Sequence, residues 1–509
     1  MTGIAPESSP TPPRRRVVLN TVFSILAKLQ SGVFSYLSTL LLLRALKVEE
    51  YGLWSLLFIA TTANLALVAR LGLGSSVRRF VPEYFARSQY RTIARLFHAS
   101  NLVQAAASLL LVTVALVFAE PIAAWMKFPQ SANLLRIFAV GAFAFLLSEN
   151  IRMMMGGLFM QRTVFVVHSI YSALRLAGIF IATRFDNPFT AVIVAEGILY
   201  ALQLGFYFIA YHRLVQPHVL SDKGPSERPP WKRFTRFTAL SYLNELGAML
   251  LNSATDLFLV TGYLGAWVVG LYGLANRVFG IINNLLPNAF LADVITPLFY
   301  SEYGAAPEKS RFGFTLLMKT SLLVTIPIGL WLALMAEPVI VHFFDARYAE
   351  AAAIVVIMGL FLPIETVRYP LGLMLQNAER NDLLIYAKVF GVVKILTGIW
   401  LLPHGTLTTM VWITFLSVAG QNLLLYYWIV TKLHSPTDHL GLLRLLINGL
   451  VCGAIFYLIR PWFSGPVGVI ASVLVFAALW LGISTLHRVF RPEERDFINS
   501  KLPHPLWRF

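Results

Sequence analysis

Several ionisable side chains in this sequence interrupt long apolar runs: Lys28, Arg175, Glu245, Asp256, Arg277 and Lys394. Charge is costly in hydrocarbon, and it persists there where it meets a partner charge, an internal wet space or a transported ligand. Buried cations of this kind bind anions as point charges (Lys) or planar forks (Arg). Asn244 adjoins Glu245, Asn252 lies a helical turn before Asp256, and Asn276, Asn283 and Asn284 accompany Arg277. The first, seventh and eighth apolar runs are therefore expected to face an internal polar cavity. For Lys28 and Arg277 the alternative is snorkelling or structural pairing. Lys28 lies roughly 17 Å into its run, deeper than a snorkelling residue needs to be. Asp256 either pairs with Arg277 or another cation, or serves a substrate or ion.

Glu149 and Arg152, and again Glu365 and Arg368, are spaced i, i+3, so each pair shares a helix face. Each is either a structural ion pair or a gate that exchanges partners between states. Arg175 and Lys394 follow Arg162 and Arg380 at matching distances and read as symmetry-related cations. Either they pair with the glutamate of the preceding helix or they supply positive charge to the cavity. Other chemistries find no support. Gly72-Leu73-Gly74-Ser75-Ser76 lacks the Lys-Ser/Thr of a phosphate loop. The histidines have no metal-ligand spacing, and Cys452 is the sole cysteine. The sequence implies no catalytic set, no metal, no cofactor and no nucleotide-binding cassette.

The elements that must position these residues are spanning helices. The 509 residues are 57% hydrophobic and 13% charged, with a mean hydropathy of +0.68, which excludes a soluble domain. About fourteen runs reach spanning length: near 17–43, 53–77, 98–119, 133–155, 164–183, 190–212, 237–262, 268–296, 314–336, 350–376, 383–402, 407–430, 444–461 and 467–487. The net charge of +16 is spread over short segments between them, which is topological bias and not a nucleic-acid groove. Lys and Arg crowd alternate segments, from Arg14–Arg16 to Arg488–Arg508, which places both termini in the cytoplasm. The first thirteen residues, rich in Pro, Ser and Thr, read as disordered, and the run after Arg16 as a retained helix. No outer loop is long enough for a further domain.

The chain also repeats itself. Phe80-x-x-Glu83-Tyr84 returns as Phe299-x-x-Glu302-Tyr303, Glu120-Pro121 as Glu337-Pro338, Glu149/Arg152 as Glu365/Arg368, and Gly156 as Gly372. The offset stays between about 216 and 219 residues, the mark of an internally duplicated transporter. The expected organisation is a cytoplasmic tail (1–16), a first lobe of six helices (17–215) and a cytoplasmic linker (216–236) containing Pro217, Pro225, Pro229 and Pro230. A second six-helix lobe (237–430), two further helices (431–488) and a tail (489–509) follow. The fold class is thus all-α polytopic, with two six-helix lobes related by a pseudo-twofold repeat.

Glu50-Tyr51-Gly52-Leu53-Trp54-Ser55, Leu71-Gly72-Leu73-Gly74 and Arg79-Phe80-Val81-Pro82-Glu83-Tyr84 resemble the polysaccharide-biosynthesis flippases, the Wzx-like O-antigen transporters. So do Asn252-Ser253-Ala254-Thr255-Asp256, Val269-Gly270-Leu271-Tyr272 and Arg277. The resemblance covers roughly 14–430 and places the chain in the multidrug/oligosaccharidyl-lipid/polysaccharide exporter superfamily. It implies two helical bundles around a cationic central cavity, alternating access, and an undecaprenyl-diphosphate-linked sugar as substrate, with Lys28 and Arg277 in the cation role. Peptidoglycan-precursor flippases of that superfamily carry Arg-Asp in the first span. This chain has Ala27-Lys28, which favours an O-antigen or exopolysaccharide repeat unit. The resemblance further implies a monomer in the bacterial inner membrane, contacts with membrane lipids, and polysaccharide polymerase and glycosyltransferases as partners. Two other readings are a cation-coupled multidrug exporter of the same fold, which prefers acidic sites, and a membrane polysaccharide polymerase or ligase, which needs a sizeable outer loop bearing Arg or His.

Overall fold

The computed structural model describes residues 14–87, 89–128, 131–158, 160–222, 231–286, 307–435 and 437–501; in the first helix the side chains of 14–25, 27 and 28 are not among them. The protein is an all-helical polytopic membrane protein. Among the described residues eleven helices are long and apolar enough to cross a membrane. The chain forms two compact units, Met1–Leu46 with Leu57–Leu246, and Lys47–Leu56 with Gly247–Phe509. Each unit thus takes in one segment from the other sequence repeat.

In chain order the helices are α1 (Arg14–Ala45), α2 (Val48–Ser55), α3 (Thr62–Arg70), α4 (Leu73–Ala86), α5 (Tyr90–Val117), α6 (Ala119–Trp125) and α7 (Ala132–Gly157). Then come α8 (Gln161–Ala182), α9 (Pro188–Leu214), α10 (Gln216–Ser221), α11 (Trp231–Leu251), α12 (Ser253–Leu264) and α13 (Ala266–Leu285). The second half continues with α14 (Pro307–Leu334), α15 (Ala336–Phe343), α16 (Ala352–Asn377), α17 (Asn381–Tyr386), α18 (Val389–Leu401) and α19 (Thr409–Lys432). The last helices are α20 (His439–Ile459), α21 (Gly465–His487) and α22 (Pro492–Lys501). The second Phe-x-x-Glu-Tyr copy and residues 223–230 of the Pro-rich linker lie outside the described residues.

In the first unit α7 packs on α9 where Gly141 faces Gly197; a Cβ on Gly141 would lie 2.7 Å from the Gly197 Cα. Small residues let membrane helices approach closely, gaining dispersion contacts where no hydrophobic effect acts. A π-helical turn, Leu56–Thr61, joins α2 to α3. Its disturbed carbonyls are covered by side chains: Thr62 Oγ1 donates to Phe58 O (2.8 Å) and Asn64 Nδ2 to Ala60 O (2.8 Å). α3 stops at Leu71 and Gly72, both left-handed (φ 49° and 75°). A Cβ at Gly72 would lie 2.8 Å from the Tyr242 nitrogen, so glycine answers both the positive φ and the close approach of α11. Past this turn α4 buries Val77, Phe80, Val81 and Tyr84 against Phe97, Met154, Tyr207 and Phe234.

In the second unit α2 lies on α13 through two glycines that are equivalent in the repeat. A Cβ on Gly52 would strike the Ala266 carbonyl and lie 2.6 Å from the Gly270 nitrogen; one on Gly270 would strike the Val48 carbonyl. Val48 and Ala266 stand at the same repeat offset as Gly52 and Gly270, so the crossing is self-complementary. The seventh run, expected as one helix over 237–262, is instead broken. Asn252 has extended backbone (ψ 136°) and its side chain accepts from the Ala254 N–H at 2.9 Å, capping α12.

Near the chain end, Lys319 of α14 is wholly buried and donates to Asp438 (2.6 Å), Glu494 of α22 (2.6 Å) and the Val489 carbonyl (3.3 Å). Arg491 adds a second cation on Asp438 (3.2 Å). Burial pushes the Asp438 carboxyl up, but the bonds from Lys319, Arg491 and the Gly441 N–H outweigh it and hold its pKa down at about 2.

Two outcomes follow from this packing. Gly270→Leu should lower the melting temperature in detergent markedly, by overpacking of about 1–3 kcal/mol or more; Gly280→Ala, where a Cβ meets nothing within 4 Å, should leave it unchanged or higher. Because the folded pKa of Asp438 is depressed, its contribution is full above about pH 4 and fades as pH falls toward 2. The melting-temperature gap between wild type and Asp438→Asn should therefore be large at pH 7 and shrink by pH 3.

Candidate functional site

Each unit holds a buried ion-pair site, and the cations of the two, Arg175 and Lys394, stand at the repeat offset. In the first unit Glu196, mid-way along α9, is fully buried and takes both a 2.9 Å bond from Arg175 Nε and a second guanidinium bond on its other oxygen. Tyr171 and Tyr200 stack beside this pair with ring centroids 6.4 Å apart. In the second unit Lys394 and Asp256 are both fully buried, with Nζ 2.5 Å from Oδ1. Asp256 also accepts from Tyr272 OH (2.8 Å) and Thr414 Oγ1 (2.6 Å). Lys394 donates further to the Asn252 carbonyl at 3.0 Å, one of the groups freed by the break between α11 and α12. Broken spanning helices persist only where their loose carbonyls find donors; here a lysine of α18 does this.

Arg175 and Lys394 are thus both paired, with carboxylates other than those of the preceding helix. Arg175 uses Glu196 of the following helix, and Lys394 uses Asp256 from a helix far earlier in sequence. Asp256 meets another cation rather than Arg277. Arg277 lies half-buried on α13, and Asn276 beside it has both amide atoms buried with no hydrogen-bond partner. Glu245 belongs to the first unit, where it accepts from Ser75 Oγ at 2.6 Å. The side chain of Lys28 is outside the described residues; its neighbour Gln30 accepts from Ser169 of α8 at 2.6 Å.

Both i, i+3 pairs are formed, but they differ. Glu365 and Arg368 make one 3.1 Å contact, each partly exposed. Glu149 is buried and takes two bonds from Arg152, 2.8 and 2.7 Å, plus a third from Arg70 at 2.8 Å. Two guanidinium groups thus share one carboxylate, and the Arg152 side chain is 34% exposed. Arg70 and Glu196 were not singled out by sequence, although each interrupts an apolar run as the chosen residues do. Lys319 escaped for the same reason. Thr414 and Tyr272 carry no such mark; only the fold shows that their hydroxyls turn to Asp256. Among the described residues no group of His, Cys, Asp and Glu could hold a metal.

The fold is one shared with solved flippase and multidrug-transporter structures. A solved lipid II flippase MurJ in an inward closed conformation matches with a TM-score of 0.69 at 16% identity, over 94% of this chain and 100% of that one. An inward-facing multidrug-resistance MATE transporter matches with a TM-score of 0.63 at 15% identity, over 81% and 98%. In sequence, the chain is similar to the succinoglycan biosynthesis transport protein ExoT of Rhizobium meliloti (strain 1021), 23% identical over 362 residues, 69% of this chain and 67% of the relative. Residues 41–353 match the polysaccharide biosynthesis protein family, and the chain belongs to that family.

The site makes its own test. Removing one member of a buried pair strands the other, at about 3–5 kcal/mol, whereas replacing both by apolar groups is close to neutral. Asp256→Leu and Lys394→Met should each lower the melting temperature sharply, and the double variant should recover much of the loss. Additive losses would mean that the two side chains do not depend on each other.

Proposed function

We propose that this protein is a flippase that carries a polyprenyl-diphosphate-linked oligosaccharide across the bacterial inner membrane by alternating access through a cationic cavity. The observation that carries this reading is Glu149 shared by Arg70 and the partly exposed Arg152, in a member of the polysaccharide biosynthesis protein family. Sugar and diphosphate are excluded by hydrocarbon, so they need a polar route while the lipid tail stays in the bilayer. Arg152, partly exposed, is a fork for one phosphate; Lys28 and Arg277 supply the charges for the rest. Asn252 and Glu245 line the sugar path, while the buried pairs Arg175–Glu196 and Lys394–Asp256 hold the two lobes in shape.

The substrate is an exopolysaccharide or O-antigen repeat unit; the named transport role of the succinoglycan relative favours the former. On this reading the protein performs no covalent chemistry, works as a monomer with both termini in the cytoplasm, and receives its cargo from glycosyltransferases and passes it to a polymerase. The linker 216–236 joins the two lobes, and α20 and α21 follow them.

The test is genetic. Lys28→Ala, Arg277→Ala and Arg152→Gln should each cut surface polysaccharide at least several-fold while membrane levels of the protein stay normal. Normal polysaccharide from all three would remove the cationic route.

A further inference from the structure

The short helix α4 carries a second concentration of positive charge, on the side of the membrane where the loops are basic. Glu83, 21% exposed, is shared by three arginines: Arg79 at 3.2 Å, Arg87 at 3.4 Å and Arg233 at 3.6 Å. Two of them come from α4 and its C-terminal edge, the third from the start of α11, so the fold assembles the group from distant sequence. All three contacts are longer than a close charge-assisted bond of about 2.7–2.9 Å. One carboxylate cannot satisfy three guanidinium groups, and the cluster keeps a net charge of about +2. Each arginine exposes about half its side chain (52, 56 and 56%). Phe80, itself buried, fixes two of them from below: Arg79 Cζ is 5.9 Å and Arg233 Cζ 5.2 Å from the ring centroid. A charge run that merely sets topology needs no shared carboxylate and no aromatic base.

We propose that Arg79, Arg87 and Arg233 form a surface site for a lipid-borne diphosphate at the cytoplasmic leaflet, where the substrate docks before it enters the transport route. The excess charge matches a diphosphate, which carries at least two negative charges, better than the single charge of a phosphodiester headgroup. Glu83 acts as a placeholder that spaces the arginines and yields them to the incoming phosphates. The site rests on the flippase reading above, but it uses none of the residues assigned there to the phosphate route.

The test uses the full chain purified in detergent and titrated with farnesyl diphosphate, with phosphatidylglycerol and inorganic pyrophosphate as the other probes. Wild type should bind farnesyl diphosphate about tenfold or more tightly than phosphatidylglycerol, and inorganic pyrophosphate should compete. The triple variant Arg79→Gln/Arg87→Gln/Arg233→Gln should weaken binding about tenfold or more. Glu83→Gln should tighten it several-fold, since it removes a competing anion; a merely structural Glu83 would give weaker binding. The Glu83→Gln arm stands even if the triple variant fails to fold. Equal affinity for phosphatidylglycerol, no competition by pyrophosphate, or weaker binding by Glu83→Gln would overturn the proposal. A triple variant that binds like wild type while Arg152→Gln does not would overturn this site alone. A wild type that binds no farnesyl diphosphate would count against the flippase reading as well.

Discussion

Charge held where water is scarce governs this structure. A carboxylate or ammonium in such a place must meet an opposite charge with nearly ideal geometry, and its remaining lone pairs or protons must also be used. Asp256 shows how completely this is done: an ammonium, a phenol and a hydroxyl, from α18, α13 and α19, all converge on it. The same lysine reaches the carbonyl left free at Asn252, so one buried cation both neutralises the aspartate and makes the helix break tolerable. The first unit solves the equivalent problem with Arg175 and Glu196, using the bidentate fork that arginine allows. Glu149 reverses the ratio, one carboxylate taking bonds from two arginines, Arg70 and Arg152.

The duplication is visible at the level of single atoms. Gly52 and Gly270, the same position in the two repeats, press against each other's helix within the second unit, and each would drive a side chain into the backbone carbonyl that corresponds to the other's. At the buried ion pairs the repeats have diverged. Glu196 has no acidic counterpart, its place being taken by Thr414, and the second copy recruits Asp256 from an earlier helix to receive the cation. The charges are conserved in kind while their origins have been exchanged.

Much of the fold could be read directly from the residues. Apolar runs of spanning length located the helices, and the i, i+3 spacing of Glu149 with Arg152 and Glu365 with Arg368 foretold two ion pairs that do form. What stayed hidden depended on tertiary contact. No Gly or Pro marks Asn252 within 237–262, so a broken helix looks whole; the Asn-Ser start signal for α12 is one polar pair among several in that run. The π-helical turn at Leu56–Thr61 leaves no mark in composition. The partner of Arg175 could not be read because several carboxylates lie at similar depth, and only the packing of α8 on α9 brings Glu196 within 2.9 Å. The convergence of Arg233 on Glu83 likewise needs α11 to return to α4.

Movement of a lipid-linked diphosphate sugar across the bilayer by this chain is measured in proteoliposomes. The purified protein is reconstituted with a fluorescent polyprenyl-diphosphate oligosaccharide, and the fraction reached by an external quencher is followed with time. A flippase for the diphosphate-linked sugar gives protein-dependent exchange between leaflets, lost when the diphosphate is replaced by a neutral linkage. Exchange that is indifferent to that replacement, or no exchange above that of empty vesicles, would contradict that function.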